Sequence, residues 1–150
     1  MSIADLLPEE LIADNLKGKN KYEVIEELLD LLVKSGKIDE RETALKDLFE
    51  REQYLSTGLE HGLAVPHAKT SAAPELMVSF GLSREGLDFD SLDGKPAHFI
   101  FLVLSPRDTS GPHIKTLAQI TRNFREGEIG KKLIEAQSRH EIADIIQNFK

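Results

Sequence analysis

Two short stretches limit this fold more than anything else in the chain: Leu76-Met-Val-Ser-Phe-Gly-Leu82 and Phe99-Ile-Phe-Leu-Val-Leu104. Both are rich in Val, Phe, Ile and Leu, and both are bounded by turn residues, the pattern of strands buried within a sheet. Between them Asp93-Gly94 marks a tight turn.

Helical patterns lie on either side. Asn20 caps a predicted helix whose apolar positions Val24, Ile25, Leu28, Leu29, Leu32 and Val33 recur at helical spacing and which Gly36 ends. A second helix is predicted from Asp39 toward Glu52. From Gln53 to Ala73 the composition changes to Gly, Ser, Thr, His and Pro, which reads as a structured loop holding a short strand, Leu63-Ala-Val65. Helix returns at Gly111 with Ile114, Leu117, Ala118 and Ile120, breaks at Gly127 or Gly130, and resumes from Ile129 to Ala136. Ser138 and Glu141 form a capping box for a last helix ending near Phe149. Helices, strands and helices again, with no repeat or low-complexity linker, predict an α/β fold: a mixed β-sheet sandwiched between α-helices, one domain over residues 1–150. A hydrophobic fraction of 40 % is enough to fill such a core.

The composition removes whole classes of function. Without cysteine there is no disulfide, thiolate or cysteine–metal chemistry. A net charge of −7 opposes nucleic-acid backbones and favours a basic protein partner. No basic segment leads into an apolar core at the N-terminus, and no apolar run approaches a membrane span, so a cytoplasmic protein without membrane insertion is expected. The phosphate-loop, dinucleotide and nucleophile-elbow glycine motifs are missing. His61 and His67 do not have zinc-motif spacing, and Asp88, Asp90 and Asp93 fail the calcium-loop pattern because Leu92 and Phe99 occupy ligand positions. No metal and no cofactor are expected.

The five histidines then become the starting list for nucleophile or base, since only imidazole titrates near neutrality unaided. His67 follows Pro66, whose ring fixes its own φ and biases Val65 toward extended backbone, so the imidazole is presented stiffly. The same spacing also suits a loop histidine satisfied by a nearby carbonyl. His113, after Gly111-Pro112 at a predicted helix start, suits an anion contact or an ordinary residue facing water. His98 and His140 read as surface or strand-edge residues.

Taken in order, Arg51-Glu52, Ser56-Thr-Gly58, Gly62-Leu-Ala-Val-Pro-His-Ala-Lys69, Leu87-Asp-Phe89 with Asp93-Gly94, and Pro112-His-Ile-Lys-Thr-Leu117 resemble the fructose/mannitol-type EIIA domain of the bacterial phosphotransferase system. The resemblance covers nearly the whole chain. It implies a phosphocarrier in which His67 accepts a phosphoryl group, through Nε2, from HPr or an HPr-like protein. It implies His113, Arg51 and Thr57 as phosphate-stabilising residues, and an EIIB or a regulatory target protein as the onward partner. A chain of this length, and the tail Ala136-Gln-Ser138 before a capped helix, resemble the nitrogen-regulatory branch; a sugar-uptake EIIA and a purely protein-binding regulator are the alternatives. Two places depart from the usual pattern, Glu60-His61 and Gly111-Pro112, and neither removes a reacting group. Leu59, Leu63 and Val65 are either core or docking surface.

Overall fold

Helix α2 (Lys21–Lys34) forms where the sequence predicts it. Asn20 accepts the Glu23 N–H at 3.0 Å, a cap worth about 1 kcal/mol, and Val24, Ile25, Leu28, Leu29 and Leu32 are buried along one side. The computed structural model describes residues 2–125 and 128–150. Helix α3 (Arg41–Tyr54) begins two residues later than expected and runs two residues past Glu52. Arg41 ties it back to α2 through Asp30 at 2.7 Å and Glu26 at 2.5 Å.

The two apolar runs are antiparallel strands, β4 (Met77–Leu87) and β5 (Ala97–Ser105), in register from Met77↔Leu104 to Leu82↔Phe99. Strand β4 runs further than predicted, so Asp93-Gly94 lies within a longer connection, where the Gly94 N–H reaches the Ser91 carbonyl and Gly94 takes a φ of 70°. Asp88 and Asp93 accept backbone N–H groups two residues ahead, the signature of turn-forming aspartates.

The opening segment holds more than the sequence disclosed: a short helix α1 (Ile3–Leu6), a 3-10 turn at Glu9–Leu11, and strand β1 (Ile12–Ala13) parallel to β4. On the other edge β2 (Leu63–Ala64) and β3 (His67–Lys69) both run parallel to β5. Their pairings Leu63↔Phe99 and His67↔Val103 keep one register, so they are one edge strand interrupted at Val65-Pro66. The short strand expected at Leu63-Ala-Val65 is therefore corrected: it stops at Ala64, and the edge resumes at His67, which opens β3. A proline fits the interruption, where it supplies a carbonyl to Val103 N–H at 3.0 Å and owes the ladder no donor.

Helices α4 (Gly111–Asn123), α5 (Glu128–Glu135) and α6 (Arg139–Gln147) complete the fold. Ser138 caps α6 by accepting the Glu141 N–H at 3.1 Å, and α6 ends short of Phe149. Gly130 does not break a helix. It lies inside α5, where an added Cβ would stand 3.1 Å from the Phe99 ring, so its small size permits that approach. Gly127, the other position expected for the break, is outside the described residues.

The sheet is mixed, ordered β1-β4-β5-β2 with β3 also on β5, and helices cover both faces. Helix α2 lies on β4, with Ser79 Oγ donating to the Leu28 carbonyl at 3.0 Å, while α3 packs on β3. The opposite face is an aromatic cluster in which Phe80, Phe99, Phe101, Phe124 and Phe149 meet at centroid distances of 4.6–6.1 Å. Among the described residues no helix is long and apolar enough to cross a membrane.

Candidate functional site

The segment before His67 is a small hairpin. Leu59 N–H bonds the Leu63 carbonyl at 2.8 Å and Val65 N–H bonds the Thr57 carbonyl at 3.0 Å, with a turn at Glu60-His61-Gly62. His61 and Gly62 adopt φ of 61° and 75°, so the unusual Glu60-His61 pair holds a turn in left-handed backbone. The hairpin leads directly into the interrupted edge strand and delivers His67.

His67 Nδ1 stands 2.7 Å from the Val65 carbonyl. A carbonyl can only accept, so Nδ1 carries the proton and Nε2 keeps its lone pair. The alternative of a histidine satisfied by a carbonyl thus proves compatible with a reactive one: the bond uses one nitrogen and frees the other. The ring's pKa is lowered, chiefly by burial and also by the positive charge of Arg51, against the raising effects of the Val65 carbonyl and Glu52. The imidazole is neutral at pH 7 and nucleophilic at Nε2.

His113 does not face water. It is buried in the first turn of α4, with Nδ1 2.6 Å from Ser105 Oγ at the end of β5, and its ring centroid lies 5.4 Å from that of His67. Burial pushes its pKa down to about 4, with the charges of His67 and Lys69 adding to the effect. This has a consequence for stability. The unfolded chain, with His near 6.5, binds more protons than the native state between about pH 6.5 and pH 4, so stability falls as pH drops through that window. Thermal melts across it should show the decline, and His113→Gln should flatten it; equal slopes in both proteins would contradict the assignment.

Arg51 sits in the last turn of α3, where Nη1 donates to the Leu55 carbonyl at 2.6 Å. That bond caps the helix and fixes the guanidinium while leaving its other donors available. Thr57 is buried, and its hydroxyl donates to Glu52 Oε1 at 2.5 Å. Its single proton is engaged there, so Thr57, which lines a cleft together with Arg51 and His67, offers no free donor to an anion in this state.

His67 lies where two clefts meet. One is polar, about 530 Å3, and contains Arg51, Lys69, Arg107 and His113, with Asp47 3.3 Å from Arg107. The other is apolar, about 280 Å3, between Leu55, Leu59, Leu92 and Leu117. In the polar cleft Arg51, Lys69 and Arg107 outnumber the carboxylates Asp47 and Glu50, in a chain of net charge −7. Of the residues considered for docking, Leu63 and Val65 are buried and Leu59 is half-buried. Exposed apolar residues that line these two clefts with His67 are Tyr54, Leu55 and Leu92. His98 and His140 stay apart from the site: His98 bonds the Ser83 carbonyl at 2.8 Å, and exposed His140 lies 2.5 Å from Glu9.

Glu52 and Ser105 have no predicted role, yet both touch site residues. The sequence holds a signal for Glu52, which continues the buried series Ala44, Leu48 at four-residue spacing and is a charge on an apolar stripe. Ser105 merely ends an apolar run, and its partner is set by tertiary structure alone.

Comparison with known proteins matches residues 5–149 to the family described as "Phosphoenolpyruvate-dependent sugar phosphotransferase system, EIIA 2". The chain is 38 % identical to the fructose-specific EIIA component of Haloferax volcanii, covering 96 % of this chain and 94 % of that one. It is 33 % identical to a nitrogen regulatory protein of Bradyrhizobium diazoefficiens, covering 89 % and 86 %. Against the fructose-specific EIIABC component of Bacillus subtilis identity is 37 %, covering 97 % of this chain but 23 % of that longer protein. Among solved structures, nitrogen regulatory protein IIA-Ntr of Neisseria meningitidis superposes with TM-score 0.83 at 31 % identity, covering 96 % of this chain and 98 % of that one. Mannitol IIA of Escherichia coli, in its complex with phosphorylated IIB, has the same fold, with TM-score 0.80 at 22 % identity over 94 % and 98 %.

Proposed function

This chain belongs to the EIIA 2 family of the phosphoenolpyruvate-dependent sugar phosphotransferase system, and from that premise we propose that His67 is its phosphoryl acceptor, with HPr or an HPr-like protein as donor. The observation that carries the reading is the 2.7 Å contact from His67 Nδ1 to the Val65 carbonyl, which leaves Nε2 with its lone pair beside His113 and Arg51.

The chemistry follows from that geometry. Nε2 attacks phosphorus in line, the N–P bond of the donor's phosphohistidine breaks, and its electron pair returns to the donor imidazole. His67 gains positive charge on its ring, and the Nδ1–H bond to Val65 strengthens as it does so. Arg51 offers a planar fork to the phosphoryl oxygens. For His113 to donate to an anion its proton must sit on Nε2, and the Ser105 hydroxyl, 2.6 Å from Nδ1, is then the donor to that nitrogen. Tyr54, Leu55 and Leu92 form the apolar contact surface for protein donor and acceptor.

Arg51→Lys keeps the charge and loses the fork. Transfer from phosphorylated HPr is expected to slow by about tenfold to a hundredfold, read from label time courses, with the melting temperature little changed. An unaltered rate would remove Arg51 from the site.

The onward partner is an EIIB in sugar uptake or a target whose binding depends on phosphorylation, and the relatives support the fructose-type and nitrogen-regulatory readings equally. The work is done in the cytoplasm in either case. Transfer of label from the phosphorylated chain to a fructose-type EIIB supports uptake. A stable phosphoprotein that EIIB fails to discharge supports regulation.

A further inference from the structure

We propose that Glu52 is a positioning residue for His67, acting through Thr57 and the Val65 carbonyl; the inference rests on the reading of His67 as phosphoryl acceptor. Four links join the two side chains. Glu52 Oε1 accepts the Thr57 hydroxyl at 2.5 Å, and Oε2 accepts the Thr57 N–H at 3.0 Å. The Thr57 carbonyl then accepts Val65 N–H at 3.0 Å, and the Val65 carbonyl accepts His67 Nδ1–H at 2.7 Å. Pro66, with its φ fixed by the ring, separates the last two residues, so the seat of the imidazole follows the position of Val65.

A carboxylate is an expensive way to hold a loop. The Glu52 side chain is 1 % exposed, and its charge is tolerated because two Thr57 donors and the Lys21 ammonium at 3.3 Å surround it. Lys21 also reaches Asp90 at 3.0 Å, so the N-terminus of α2 and the β4–β5 connection brace the same point. Both Thr57 donors converge on one side chain, and the carboxylate receives each on a separate oxygen. Glutamine can still accept the Thr57 N–H, but its NH2 group meets the Thr57 hydroxyl, which must turn from donor to acceptor, and the ion pair with Lys21 is lost, so in Glu52→Gln the relay loosens.

Loosening should appear first in the tautomer of His67. Nitrogen-15 NMR of the imidazole, on the unphosphorylated protein, reads this without any donor present. The wild-type ring is expected to hold a single neutral tautomer with the proton on Nδ1. Glu52→Gln is expected to show both tautomers, and to take phosphate from phosphorylated HPr about tenfold more slowly. Thr57→Val, which keeps volume and removes the hydroxyl, should shift in the same sense, and Thr57→Ser, which keeps the hydroxyl, should restore the wild-type ring. This second pair decides the matter if Glu52→Gln does not fold. A single Nδ1–H tautomer in Glu52→Gln or, failing that variant, in Thr57→Val overturns the proposal whatever the rate, because slow transfer with an intact tautomer means that Thr57 serves the phosphate directly. Wild-type protein that takes no label overturns the acceptor reading instead, and the tautomer comparison still stands by itself.

Discussion

Replacing His67 by alanine is expected to abolish phosphate uptake from phosphorylated HPr while leaving the fold in place. The fold survives because the ladder between β3 and β5 is made of backbone groups, and the loss includes one hydrogen bond to a carbonyl, about 1 kcal/mol. Uptake ends because no neighbour can replace the nucleophile. His113 is the nearest imidazole, but it is buried, its Nδ1 is engaged by Ser105, and its ring centre is 5.4 Å away. A shift of that size far exceeds the tolerance of in-line attack, for which reacting atoms must already be within about 3–3.5 Å. Intact-mass measurement after incubation should show one phosphoryl group on the wild type and none on the variant. A variant that still gains the group would remove His67 from the mechanism.

The second large effect is expected at His113. His113→Ala deletes a donor facing the transferring phosphoryl group, in a site where a preorganised donor is worth a factor of about 10² to 10³ in rate. The neutral ring matters here. With its pKa near 4, His113 adds no positive charge to the unphosphorylated site, yet an anion brought to His67 favours its protonation. The pKa of His113 should therefore rise on phosphorylation, and the charge gained would hold the phosphate until a partner removes it. Rapid-quench time courses should show uptake and onward transfer both slowed, with the variant still folded. Unchanged rates would return His113 to the role of a buried helix-start residue.

The sequence discloses the fold well where a period or a cap enforces it, as in α2 with its Asn20 cap and in the apolar strands β4 and β5. It fails where the element is too short to have a period. Strand β1 is two residues long, and its hydrogen bonds come from β4 rather than from its own pattern. The division of one edge strand into β2 and β3 is likewise hidden, since only the β5 partner shows that Leu63 and His67 share a register. Gly130 misleads because glycine ends helices in general but here serves contact with Phe99.

The same limit holds at the site. His67 and Arg51 are legible from the ordered motifs, and the structure brings them together with His113 across α3, β3 and α4. Thr57 is expected from the motifs as a phosphate contact, and its partner is not legible, because the turn that brings its hydroxyl back to the Glu52 carboxylate has no periodic pattern in the sequence. Tautomers belong to the same class of hidden facts: the proton on His67 Nδ1 is decided by a carbonyl two residues back, aimed by a hairpin.

The central claim is that Nε2 of His67 receives the phosphoryl group. Phosphorus-31 and nitrogen-15 NMR of the protein after incubation with phosphorylated HPr addresses it at the level of the atom. One phosphohistidine is predicted, with phosphorus coupled to Nε2 of His67 and the proton retained on Nδ1. Phosphorus bonded to Nδ1, to another residue, or to nothing in this chain would contradict it.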